Sequence, residues 1–195
     1  MAPLQGWVLS CVGVYRHAAP TALRRVTRSS IARREIDMKF IFFLSLPLYA
    51  LDQVTKYLVL QSIEPDKSRE VIPGFFHLVN ITNTGAAFGS FKDNNEIFIG
   101  ISCIALLFVL ILLLRIRAPD KWRDTSLALL LAGILGNLTD RLLYGHVIDF
   151  LLFNLHVPYA NPWPAFNVAD SCITIAVACF IIHSLFAGKE TPVTL

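Results

Sequence analysis

Charge is scarce in this sequence. Asp, Glu, Lys and Arg make up 16% of the 195 residues, and they fall in blocks between long apolar runs. With 55% hydrophobic residues and a mean hydropathy of +0.58, that scarcity excludes an ordinary soluble globule and implies a polytopic membrane protein. A basic surplus is also missing from most of the chain. Residues 1–37 hold Arg16, Arg24, Arg25, Arg28, Arg33 and Arg34 against Glu35 and Asp37, a net of +4, so the remainder of this +3 chain carries about −1. No nucleic-acid footprint remains there. The four cysteines, Cys11, Cys103, Cys172 and Cys179, form no C-x-x-C and no Cys/His cluster. A disulfide framework and a metal site are therefore not indicated, and these thiols read as small hydrophobes. No internal repeat supports an inverted-repeat transporter.

What is present is a series of apolar segments. Residues 1–37 have the Arg-rich, acid-poor composition of a targeting peptide. Met38-Lys39 followed by Phe40-Ile41-Phe42-Phe43-Leu44 reads as a bacterial membrane-protein start, which makes 1–37 a disordered or upstream extension and 38–195 the working domain. Phe40–Leu51 alone could be a signal-peptide core. The apolar pattern resumes after Asp52 and Lys56, an acid-first i,i+4 pair, so a span over about 39–61 fits better. Further spans are expected at Ile97–Leu114, from about Thr125 to Ile148, and from about Ala169 to Gly188. Between the first two lies Val71–Thr82, β-branched and aromatic around Pro73-Gly74, which predicts a short extramembrane β element. The expected fold class is an all-α membrane protein of four transmembrane helices with that β element between helices 1 and 2. Arg115, Arg117, Lys121 and Arg123 mark the loop after the second span as cytoplasmic, and no Lys or Arg occurs from Leu142 to Ala165. That places 64–96 and 149–168 at the outer face. The latter loop carries Phe153, Tyr159, Trp163 and Phe166 among prolines, rings suited to the headgroup layer.

The polar residues inside these spans need partners, a wet cavity or a task. Gly133, Asn137, Asp140 and Arg141 recur at helical spacing, with Gly133 permitting close helix approach. These polar groups could simply glue helices together. Asp149 is harder to explain that way. On a continuous helix it lies roughly 13 Å beyond Asp140, level with Asp170 at the start of the fourth span. Two carboxyls in contact hold one proton over a broad pH range. The ionised member can take a proton from water while the protonated member donates a hydrogen bond to a peptide carbonyl. No Ser-His or Cys-His pair occurs at matching depth, and His183 lies near the opposite end of the fourth span.

At these residues the sequence resembles the bacterial lipoprotein signal peptidases, the type II signal peptidases, over residues 38 to about 188. The resemblance rests on Asp52-Gln53-Val54-Thr55-Lys56, Asn83-Thr84-Gly85-Ala86-Ala87-Phe88-Gly89, Gly136-Asn137-Leu138-Thr139-Asp140-Arg141 with Val147-Ile148-Asp149-Phe150, and Phe166-Asn167-Val168-Ala169-Asp170, in the family's order. Ala132-Gly133 departs from the two glycines of many members, and residues 1–37 have no counterpart. The resemblance implies a cofactor-free, metal-free aspartyl endopeptidase of the bacterial cytoplasmic (inner) membrane with an outer-face β-cradle. Its substrate would be a diacylglyceryl-prolipoprotein, cut on the N-terminal side of the lipid-bearing Cys, and its partners that substrate and membrane lipids, with no nucleic acid and a monomeric chain. Asp149 and Asp170 would be the catalytic pair, with Asp140 a rival for the first position. Asn83, Asn137, Arg141 and Asn167 would line the site, and Asp52 and Lys56 would brace it or meet the lipid. Two rival readings stand beside this one. A proton-coupled carrier would distribute ionisable groups across the membrane depth, and a non-enzymatic scaffold would lose only stability on Asp149→Asn or Asp170→Asn.

Overall fold

The computed structural model describes residue 39 and residues 41–85, 94–115, 120–158 and 161–187. The extension at 1–37, Ala86-Ala87-Phe88-Gly89 and Tyr159, all named above, lie outside the described residues. Helix α1 occupies 41–62. It is followed by strands β1 (Ser68–Ile72) and β2 (Phe76–Asn83), helices α2 (Asn95–Arg115) and α3 (Lys121–Tyr144), strand β3 (Val147–Phe153) and helix α4 (Val168–Ala187). Among the described residues, α2, α3 and α4 are long and apolar enough to cross a membrane. Their outward faces are apolar as well, with Ile104 71% exposed and Leu185 68%, and Phe43 on α1 reaches 78%. Side chains of that kind are stable on a surface only when acyl chains, rather than water, cover it.

The central helix is α3. Asp120 caps its N-terminus by accepting the Arg123 amide at 3.1 Å. At the far end Gly145 takes a left-handed conformation (φ 78°) and its amide reaches back to the Arg141 carbonyl at 3.2 Å. Gly133 lets α4 lie directly on α3. A Cβ there would come within 2.5 Å of the Ala169 carbonyl oxygen and 2.6 Å of Ile173 Cγ1. Ile41, Val109, Leu113, Leu127, Ala128, Leu131 and Ile134 form an apolar core from α1, α2 and α3. Leu129, Cys172 and Ala176 seal α3 against α4.

Two expectations are corrected here. The third helix stops at Tyr144 rather than continuing to Ile148, because Gly145 ends it and the β-branched Val147 and Ile148 enter a strand. The β element is also not confined to the segment between the first two helices. It is a three-stranded antiparallel sheet in the order β1-β2-β3, and its third strand comes from beyond α3. Val59, Ile63 and Phe150 pack between the end of α1 and this sheet. The β2/β3 register runs Leu78↔Leu151 and then Ile81↔Asp149, three steps on one strand against two on the other. That bulge, with Asn80 turned back to donate to the Ile63 carbonyl at 2.8 Å, sets where Asp149 faces.

Candidate active site

The sheet end of the bundle holds a cavity of about 600 Å³. Its wall includes Asn83 at the end of β2 and Gly85 just beyond it, Asn137 and Arg141 from α3, Asp149 from β3, Asp170 from α4, and Trp163 and Phe166 from the loop before α4. Asp149 and Asp170 therefore face one space, although they come from a strand and from a helix rather than from two helices. The loop is fixed by backbone pairing. Phe166 exchanges hydrogen bonds with Leu151 at 2.8 and 3.1 Å, Trp163 donates to the Phe153 carbonyl at 2.8 Å, and the Phe153 ring stacks between Phe76 and Phe166.

Each acid is held by carboxamides. Asp149, 2% exposed, accepts Asn83 Nδ2 on Oδ2 and Asn167 Nδ2 on Oδ1, both at 2.8 Å. Asp170 accepts Asn137 Nδ2 at 2.7 Å and the Asn167 backbone amide at 3.2 Å. Asn167 Oδ1 in turn accepts the Asp170 amide at 2.9 Å, a reciprocal cap of the kind that starts a helix, so Asn167-Val168-Ala169-Asp170 builds the first turn of α4 and the site together. Asn167 Nδ2 also reaches Asn137 Oδ1 at 3.2 Å, which links the amide groups behind the two acids. Burial, then the nearby charge of Asp170, pushes the Asp149 carboxyl up from 3.8 to about 7, against the Asn83 and Asn167 hydrogen bonds and the charge of Lys56.

Behind the wall lies a buried ion cluster. Lys56, 2% exposed, points its ammonium at Asp52 Oδ2 (2.8 Å), Asp140 Oδ2 (2.7 Å) and Asn137 Oδ1 (3.2 Å), three acceptors for three N–H groups. Asp52 Oδ1 accepts the Ala169 amide at 2.8 Å, an orphan donor of the first turn of α4, and Asp140 Oδ2 accepts the Ile148 amide at 3.2 Å. One lysine thus ties α1 to α3, to the start of α4 and to the start of β3. It also orients Asn137, whose oxygen faces Lys56 and Asn167 and whose NH₂ is left for Asp170. Asp52, Lys56, Asp140, Gly133 and the fully buried Asn167 sit behind the cavity and not on its wall, so Asn167, expected to line the site, reaches it only through the acids it holds. Asp52 and Lys56 are enclosed by protein and do not reach lipid. Ile148 touches Asp140, so the extended separation of roughly 13 Å assumed for Asp140 and Asp149 on one helix does not hold. Arg141 lies over the Phe98 ring at 5.1 Å and approaches the Gly85 carbonyl at 3.5 Å. His183 meets Asp120 at 3.0 Å at the opposite end of α4.

Two contributors escape a reading of charged residues alone. Gln53 Nε2 is shared among Asp52 Oδ2, Asp140 Oδ1 and the Gly136 carbonyl at 3.1 to 3.2 Å. At Gly136 a Cβ would come within 2.5 Å of Asp52 Oδ2, so only glycine leaves room for the Asp52 carboxylate. An amide side chain in an apolar helix beside Asp52 was the available signal for the first.

Fold and site together define a helical membrane protein whose polar cavity presents two acids, at the end that carries a small sheet. The family model for signal peptidase (SPase) II matches residues 44–186. A lipoprotein signal peptidase of Moorella thermoacetica is 39% identical over 148 residues, covering 75% of this chain and 93% of the relative, and one of Desulforapulum autotrophicum is 42% identical over 144 residues, covering 71% and 87%. A solved structure described as a bacterial membrane enzyme, determined by the in meso method at 2.3 Å resolution, superposes with a TM-score of 0.71 at 33% identity, over 80% of this chain and 95% of that one. The chain belongs to the signal peptidase II family, the lipoprotein signal peptidases, and is a protease.

Proposed function

We propose that this protein removes signal peptides from diacylglyceryl-modified prolipoproteins, cutting on the N-terminal side of the lipid-bearing Cys, with Asp149 and Asp170 as an aspartyl dyad. The observation that carries the reading is that both acids line one cavity, bound to the linked amides of Asn137 and Asn167, with Asp149 raised to about 7. At neutral pH such a pair holds one proton. The ionised carboxylate takes a proton from water as the water oxygen bonds to the scissile carbonyl carbon, and the protonated carboxyl donates to the carbonyl oxygen. Collapse of the tetrahedral intermediate breaks the C–N bond, and the departing nitrogen takes the proton held by the dyad. Asn83, Asn137 and Asn167 hold the acids. Arg141 lines the side of the cavity next to Gly85, where it positions substrate carbonyl groups. In this proposal α1 joins α2, α3 and α4 as a fourth span, the sheet end faces the outer side of the cytoplasmic membrane, and the monomer meets a substrate anchored by its lipid at that depth.

The test is a cleavage assay on lipidated and unlipidated precursor. Asp149→Asn and Asp170→Asn should each lower turnover by about a thousandfold or more, within the range of acid–base contributions when both roles fall on one pair, while the protein still inserts. Retained cleavage by either variant would overturn the dyad, and equal cleavage of the unlipidated precursor would overturn the substrate assignment.

A further inference from the structure

A second cavity, of about 610 Å³, opens at the other end of the bundle. Phe108 and Leu112 of α2, Leu127 and Leu130 of α3, and Val177 and Phe180 of α4 form its walls, and Arg115 and Arg123 are the charged residues on it. Its size is that of a typical small-ligand pocket, about 300–1,000 Å³. Phe108, Val177 and Phe180 are 60%, 46% and 51% exposed, so the crevice is open sideways, where acyl chains lie against the bundle. Arg115 ends α2 and is exposed, and Arg123 stands in the first turn of α3. The Arg123 guanidinium is steadied by Asp124 Oδ1, through Nε at 3.1 Å and Nη2 at 2.9 Å. No acidic residue lines this cavity among the described residues.

We propose that this crevice is a binding site for an anionic phospholipid of the leaflet opposite the acids, with one acyl chain between α2, α3 and α4 and the phosphate between Arg115 and Arg123. The chemistry selects that occupant. An apolar slot ending in guanidinium groups matches a chain that ends in a phosphate, and a guanidinium binds phosphate through paired N–H donors, a role that falls to Arg115 because Asp124 holds the Nε/Nη2 edge of Arg123. Basic pockets between membrane helices attract anionic headgroups for the same reason, each basic residue strengthening binding about fivefold. A zwitterionic lipid brings the same phosphate together with a cation that Arg115 repels, the charge of Arg123 being balanced by Asp124. The lipid would wedge the ends of α2, α3 and α4, and α3 and α4 carry the cavity of the acids at their opposite ends, so occupancy should stabilise the bundle without touching that site.

The experiment uses the full chain, purified and stripped of lipid in detergent, then titrated with phosphatidylglycerol or phosphatidylcholine of matched chains and read by native mass spectrometry and thermal unfolding. One phosphatidylglycerol should be retained and should raise Tm, and phosphatidylcholine should do neither at the same concentration. Arg115→Gln should weaken retention about fivefold. Val177→Trp, an exposed wall position, should fill the slot and abolish retention while leaving the lipid-free Tm unchanged. Equal retention of the two lipids, or unchanged retention in both variants, would overturn the proposal.

Discussion

Replacing Asp149 with Asn should make the protein more stable as it removes the chemistry. Burial holds the Asp149 carboxyl at about 7 instead of 3.8, so between those values the folded chain keeps a proton that the unfolded chain has released. Stability of the natural protein therefore falls as pH rises through that window and levels off above about 7. Three pH units correspond to about 4 kcal/mol, carried in full at pH 8 and by less than half at pH 5. The substitution removes that term. Against it, Asn83 and Asn167 both donate to this side chain, and a carboxamide offers one oxygen where the carboxylate offered two, a loss of about 1 kcal/mol. The net gain is about 3 kcal/mol at pH 8 and roughly 1 kcal/mol at pH 5. For a chain of this length that is roughly 6–12 °C in Tm at the higher pH. Thermal unfolding of both proteins in one detergent, from pH 5 to 8, measures it. A variant no more stable than the natural protein at pH 8, or a difference that does not change with pH, would refute the claim that burial strains this acid.

The ion cluster behind the cavity supplies two more predictions. Lys56→Met leaves Asp52 and Asp140 buried without their cation and should cost about 3–5 kcal/mol, most of it recovered when Asp52→Asn and Asp140→Asn are added, as read from Tm or from folded yield in membranes. Gly136→Ala drives a methyl group against Asp52 Oδ2 and, at 2.9 Å, against the Ala169 side chain. It should cost about 1–3 kcal/mol and lower cleavage by loosening the start of α4, whereas Gly100→Ala, inside α2 where a Cβ meets nothing within 4 Å, should leave cleavage unchanged and not destabilise.

Much of this architecture was legible because hydropathy is a local property. Ile97–Leu114 and Ala169–Gly188 differ from the observed α2 and α4 by one or two residues at each end. The third helix misled because Leu142, Leu143, Val147 and Ile148 extend its apolar run unbroken. Only Gly145 marks the break, and hydropathy does not register a residue that acts through its backbone dihedral. A helix drawn four residues too long puts Asp149 at the end of a span and hides the third strand, whose pairing with Phe76–Asn83 is a contact between distant parts of the chain. The Asp52–Lys56 pair could be read from i,i+4 spacing, while Asp140 as the second acid on Lys56 could not, because nothing local ties position 56 to position 140. The cap formed by Asn167 and Asp170 was readable in principle, as an Asn three residues ahead of an acid before an apolar run.

The third strand also sets an order of assembly. Asp149 is positioned by the pairing of β3 with β2, and Asp170 by the Asn167 cap at the first turn of α4, and both segments follow α3 in the chain. A nascent chain halted after α3 has synthesised the Asn83, Asn137 and Arg141 side of the vault and neither acid. Completion of the acid pair is thereby left to the segments that follow α3, when α1, α2 and α3 are already available to receive them.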